Sequence, residues 1–219
     1  MSTDLGVAPF PIEHELAGWE LFWVLLEMEE GTEKDGRLAA LLRETSELAR
    51  ASLEGIDLAS HATVAAMRKL FRAAGTDPTR YRPASEALLR RVLKGEDLPP
   101  IHPLVDINNC LSVELAVPCC VAAEGTFTPP LLLRSGRPGE SYESLRGPFN
   151  LEGKPMLVDT EGPLDTPITG GVKVKVRPET RRAWLVAYLP EGVVTRERCG
   201  EVLGELLAKA PVVKVVERT

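Results

Sequence analysis

The hydrophobic pattern of the chain changes period at Pro118. Before it, apolar residues recur at helical spacing in Arg37–Leu53, Ser60–Ala74, Ser85–Lys94 and Leu104–Leu115. After it, Cys119–Ala123, Leu131–Arg134, Pro155–Val158, Gly171–Val176 and Ala183–Leu189 read as strands, punctuated by Gly and Pro. Thr195–Lys209 is a closing helix and Val212–Val216 a closing strand. Leu21–Met28, near the start, is a short apolar run whose length suits a buried strand. Helices first, strands next, then one helix and one strand describe an α+β fold, with helices packed on a mixed, largely antiparallel sheet.

Local signals place several boundaries. Gly75 and Gly95 stand where a helix ends in left-handed backbone. Pro83 and Ser85 mark the start of the third helix. Asp77-Pro78 starts a turn, and Pro99, Pro100 and Pro103 form a stiff connector. Residues 1–17, with Pro9 and Pro11, read as an irregular arm. At 219 residues and 44% hydrophobic composition, the chain suits one large domain spanning 1–219.

The net charge of −6 argues against a broad grip on nucleic acid, so DNA is not an expected partner. A local basic concentration nonetheless runs through Lys69, Arg72, Arg80, Arg82, Arg90, Arg91 and Lys94. Cys110, Cys119, Cys120 and Cys199 form no CxxC pair, and His14, His61 and His102 are scattered. A structural metal site is not expected. No signal peptide or membrane-spanning run is apparent, which gives a cytoplasmic expectation without membrane contact.

No phosphate loop, dinucleotide fingerprint, HExxH or GxSxG occurs, and no cofactor is expected. The polar residues of Val105–Pro118 either form a wet helix face or line something polar. Asp106 lies in the first turn of its helix, where a carboxylate satisfies free N–H groups. It lies just over two turns from Glu114, so the two can share a face. Asn109 can pin a loop or a ligand. Cys120 needs a nearby base or positive dipole to act as a nucleophile, and the sequence offers no obvious one. Thr169-Gly170-Gly171 is either a simple turn or a set of amides for a carbonyl or oxyanion.

The segment VDINNCLSVELAVP, Val105–Pro118, resembles the VDvTNyvmlElGqP signature of the B3/B4 domain of the phenylalanyl-tRNA synthetase beta subunit. SEALLRRVLKG upstream is similar to free-standing relatives of that domain. Val158-Asp159, Gly170-Gly171 and Pro178-Glu179-Thr180 follow in matching order, so the resemblance covers about residues 65–190. It implies an α+β unit that takes the aminoacylated 3′ end of a tRNA and hydrolyses a wrongly attached amino acid.

Such hydrolysis needs a positioned water and a stabilised oxyanion. The resemblance directs attention to Asn109, Cys120, Thr169 and Gly170 as pocket residues, with Asp106 and Glu114 in support. Arg90 and Arg91 become candidates for RNA phosphates. Cys120 stands where the family carries a histidine, and Val172 where it carries a glutamate. Two readings are therefore carried forward. One is a trans-editing aminoacyl-tRNA deacylase; the other is a non-catalytic pocket for an amino acid, a small metabolite or an RNA end.

Overall fold

The computed structural model describes residues 5–29 and 36–216. Residues 1–4 of the expected arm and 217–219 of the tail lie outside the described residues. Ten strands and five helices follow one another along the described chain. Strands β1 (Ile12–His14) and β2 (Trp19–Met28) come first. Four helices follow: α1 (Gly36–Ser52), α2 (Ala62–Ala73), α3 (Ala84–Leu93) and α4 (Pro103–Leu115). The strand-rich half holds β3 (Cys119–Ala123), β4 (Leu131–Ser135), β5 (Ser141–Ser144), β6 (Gly147–Asn150), β7 (Pro155–Asp159), β8 (Gly162–Asp165) and β9 (Arg182–Pro190). Helix α5 (Arg196–Lys209) and strand β10 (Val213–Val215) close the chain.

These elements build layers. An antiparallel sheet in the order β10-β2-β9-β3 sits between the helices and a second sheet. The second sheet runs β1-β4-β7-β8, with β1 parallel to β4 and the remaining pairs antiparallel; β5 and β6 form a separate hairpin. Side chains on a strand alternate between its faces. Phe22, Val24 and Leu26 of β2 therefore pack with Leu104, Ile107 and Leu111 of α4 and with Leu203 of α5. Leu21 and Trp23 of the same strand pack with Leu131, Leu133 and Leu157 of the second sheet. A strand covered on both faces reads as a continuous apolar run rather than an alternating one. That is why LFWVLLEM looked like a buried strand.

The helix ends follow their chemistry. Thr195 Oγ1 accepts from the Arg198 N–H at 3.1 Å and caps α5. Gly75 and Gly95, at φ 99° and 94°, supply the left-handed residues after α2 and α3. Ser85 does not cap α3, contrary to expectation. The helix begins at Ala84, and the buried Ser85 hydroxyl donates to the Ala116 carbonyl at 3.0 Å.

The expected strand over Gly171–Val176 is also corrected. Val172–Val174 is a 3₁₀ turn, closed by Val174 N–H to Gly171 O and Lys175 N–H to Val172 O, each at 3.3 Å. Val172 is exposed while Val174 is buried, so the alternating sequence presents no single face. Lys173 is drawn to Asp159 at 2.7 Å and Glu161 at 2.9 Å, which pins the turn. The arm expected to be irregular contains β1, and β5, β6 and β8 were not anticipated.

Candidate functional site

Three of the sequence-derived pocket residues meet between the two sheets. Strand alternation turns Cys119 toward the helices and Cys120 toward the second sheet. Tyr188 of β9 lies on the same side as Cys120, and β8 ends there in Asp165. From Asp165 the chain turns through Thr166-Pro167-Ile168-Thr169 into Gly170-Gly171.

The turn is held by one hydroxyl. Thr166 Oγ1 accepts from the Thr169 N–H at 3.1 Å and donates to the Thr169 carbonyl at 2.9 Å. The Tyr142 hydroxyl of the β5–β6 hairpin donates to the same carbonyl at 2.5 Å. Gly171 is needed for space, while Gly170 meets only a movable side chain. A Cβ on Gly171 would lie 2.3 Å from the Leu164 carbonyl oxygen, and one on Gly170 would lie 3.0 Å from Leu145 Cδ1.

Asp165 is the residue that sequence reasoning missed. It is 3% exposed, and its Oδ2 accepts from the Tyr188 hydroxyl at 3.1 Å. Its Oδ1 is buried without a well-aligned hydrogen bond. The polar neighbours of the carboxyl include the Cys120 thiol and the Thr166 and Gly171 amides. Burial pushes the Asp165 carboxyl up to about 6, while the contacts with Cys120 and Tyr188 pull the other way. An aspartate in the turn-like string GPLDTP carries no local sign of this. Only the meeting of two sheets makes it a buried acid.

Cys120 Sγ lies 3.9 Å from the Thr166 carbonyl. Burial first, then the neighbouring Asp165, pushes its thiol well above the usual range. A thiol so raised stays protonated at neutral pH and is a poor nucleophile. All four cysteines are free thiols. Among the described residues, no group of His, Cys, Asp and Glu could hold a metal ion.

The remaining candidates lie apart from this cluster. Asn109 is half-buried on α4, and its Oδ1 lies 3.4 Å from Asn108 Nδ2. It is the buried Asn108 that ties α4 to β3, through Nδ2 to the Cys119 carbonyl at 3.4 Å. Asp106 is buried at the other end of the helix. Its Oδ1 accepts from the Ile101 and His102 amides at 2.9 and 3.3 Å, and burial pushes its carboxyl up to about 6. It therefore fastens the Pro-rich connector, while Glu114 is exposed and faces a separate cleft.

Arg90 and Arg91 are both ion-paired. Arg90 Nε bonds Glu86 at 2.9 Å, and Arg91 bonds Glu96 at 3.0 Å. Glu86 is fully buried and also takes a two-pronged bond from Arg68, at 2.6 and 2.8 Å. Burial opposes its ionisation, yet the bonds from Arg68 and Arg90 outweigh that and lower its pKa. A second basic surface follows the glycine pair. A cleft of about 470 Å³ is lined by Lys173, Lys175, Arg177, Arg181 and Arg182, against Glu124 and Glu179.

A polar cluster buried between two sheets, under a helical layer, defines an α+β domain whose candidate site lies beneath a glycine turn. The B3/4 domain family matches residues 66–202, more than half of the sequence, and the chain belongs to that family. An N-terminal fragment of the phenylalanyl-tRNA synthetase beta-subunit from Pyrococcus horikoshii is similar in structure, at 14% identity and a TM-score of 0.45. That similarity covers 95% of this chain and 50% of the fragment, so the chain spans half the length of that fragment. No curated protein matches the chain. No helix among the described residues is long and apolar enough to cross a membrane.

Proposed function

We propose that the protein binds the aminoacylated 3′ end of a tRNA and hydrolyses a wrongly attached amino acid in trans. The observation that supports this most is the Asp165 carboxyl. It is raised toward neutral pH, has one oxygen without a well-aligned hydrogen bond, and lies beside Cys120 and the Thr169–Gly171 turn. A group with a pKa near the working pH is suited to taking a proton from water and returning it to a leaving hydroxyl. In this reading Asp165 positions the water in place of the family's histidine and glutamate. Leu145, 53% exposed and packed over Gly170, is the side chain whose displacement opens the cluster. Arg90 and Arg91 are paired internally, and in the cleft from Lys173 to Arg182 the Lys173 and Arg182 charges are paired as well, so Lys175 and Arg177 are the side chains there that suit phosphates. Asn109 remains a candidate contact on α4.

The test is deacylation of a panel of mischarged tRNAs. Release above buffer is expected, and Asp165→Asn should slow it by about 10²-fold or more, the scale of general acid–base catalysis. An Asn109→Ala variant reads whether α4 takes part. Release equal to buffer across the panel overturns the catalytic reading.

A second reading is binding without turnover. It is favoured by Cys120 and Val172 at the positions of the family's histidine and glutamate, and by the raised pKa of the half-buried Cys120 thiol. Saturable binding of an aminoacylated RNA end or a free amino acid, with no release, is its signature.

A further inference from the structure

On the helical side of the molecule, a cleft of about 290 Å³ opens where α1, α3 and α4 meet the start of α2. Its walls are about half apolar, with Leu48, Leu53, Leu89 and Val113 facing polar Thr45, His61 and Glu114. Small side chains at Ala49, Ser52 and Ala116 leave the space between the helices.

Three polar groups of the cleft lack a well-aligned hydrogen bond or ion pair. Thr45 is 1% exposed, and its Oγ1 has no well-aligned hydrogen bond; its polar neighbour is the weakly bonding Cys110 thiol. His61 Nδ1 is buried and equally without a partner. Buried polar atoms are almost always paired, so two orphans lining one cleft call for an explanation. Glu114 makes no ion pair among the described residues, although its neighbours do: Glu44 is held by Lys209 at 2.8 Å, and Arg198 by Glu201 at 3.0 Å. Ala116, the left-handed residue at φ 56° that ends α4, borders the cleft.

These features describe a complementary ligand. An acceptor carboxylate, an imidazole nitrogen and a hydroxyl together suit a donor with several N–H groups. The apolar walls suit a short hydrocarbon or aromatic body. We infer that this cleft is a binding site for a small primary amine carrying an apolar group, with its ammonium on Glu114 and its body between Leu53, Leu89 and Val113. Desolvation raises the Glu114 pKa and Glu205 and Glu44 add to it, against the opposing charges of Lys209 and Arg198; the net rise suits a further cation at the carboxylate. The site is separate from the Asp165 cluster, and the inference does not depend on the deacylase reading.

The test uses the full chain and three probes of matched shape: 2-phenylethylamine, 2-phenylethanol and phenylacetate. Calorimetry and the nuclear magnetic resonance shifts of His61 and Thr45 follow binding. The amine is expected to bind at least tenfold more tightly than the alcohol, to leave the acid behind, and to move both residues. Glu114→Gln should weaken the amine about tenfold. Leu48→Trp, which crowds the mouth from an exposed position, should weaken it further while leaving the melting temperature near that of the parent. No binding of the amine, equal binding of amine and alcohol, or unchanged affinity in both variants overturns the inference.

Discussion

Asp106 and Asp165 are both carboxyls that burial pushes up to about 6. The native state then holds their protons more tightly than the unfolded chain, where an aspartate titrates near 4. Between about pH 4 and 6 the native state binds more protons, so stability contributed by these groups falls as pH rises and levels off above 6. Glu140 runs the other way, because its bond to Arg134 draws it down to about 2 and its contribution is lost in acid. The separation is made by substitution. Asp165→Asn should match the parent near pH 4 and gain on it toward pH 7, by on the order of 2 kcal/mol from the size of the shift. Chemical denaturation at pH 4.5 and pH 7.5 measures that gap. A gap that does not change with pH shows that Asp165 does not titrate in this range.

At the scale of elements, two glycines predict opposite results. Gly171 has no room for a methyl group, since Leu164 O would lie 2.3 Å from it, and Gly171→Ala should cost about 1–3 kcal/mol. Gly204 lies on the exposed face of α5 with open space around it, so Gly204→Ala should stabilise by about 0.5–1 kcal/mol through helix propensity. Urea denaturation of both variants checks the pair; equal signs would mean the turn is looser than described. The same elements show what the sequence revealed. The helices, β2, β3, β4, β7 and β9 were legible because their apolar periods match the faces they bury. Strands β5, β6 and β8 are only four residues each, and half of the hairpin residues are exposed, so no apolar period marks them. The turn at Val172–Val174 was misread because VKVKV alternates like a strand, while the ion pairs of Lys173 that bend it come from β7 and the loop after it. Cys120, Thr169 and Gly170 became candidates through the resemblance. Asp165 did not, because its burial depends on contacts between β8 and β9 that no local window contains.

At the scale of the whole molecule, β2 lies between β9 and β10 in the central sheet, although α1 to α4 and most of the second sheet separate β2 from both in sequence. Its pairing with β9 runs from Trp19 to Glu27. The family match at 66–202 includes β9 but neither β2 nor β10. A fragment cut at those limits would leave β9 with an open, apolar edge, a template for association with other chains. The fragment is expected to aggregate or form higher oligomers on size-exclusion chromatography where the full chain does not. A monodisperse, folded fragment would show that the central sheet tolerates the loss.

That placement of β2 also bears on inheritance. The stretch that is recognisable across relatives and the stretch that must fold together are different lengths of chain. A gene segment limited to the recognisable part could not be grafted into a new protein unless the recipient supplied a strand of its own to lie beside Leu185 and Ala187.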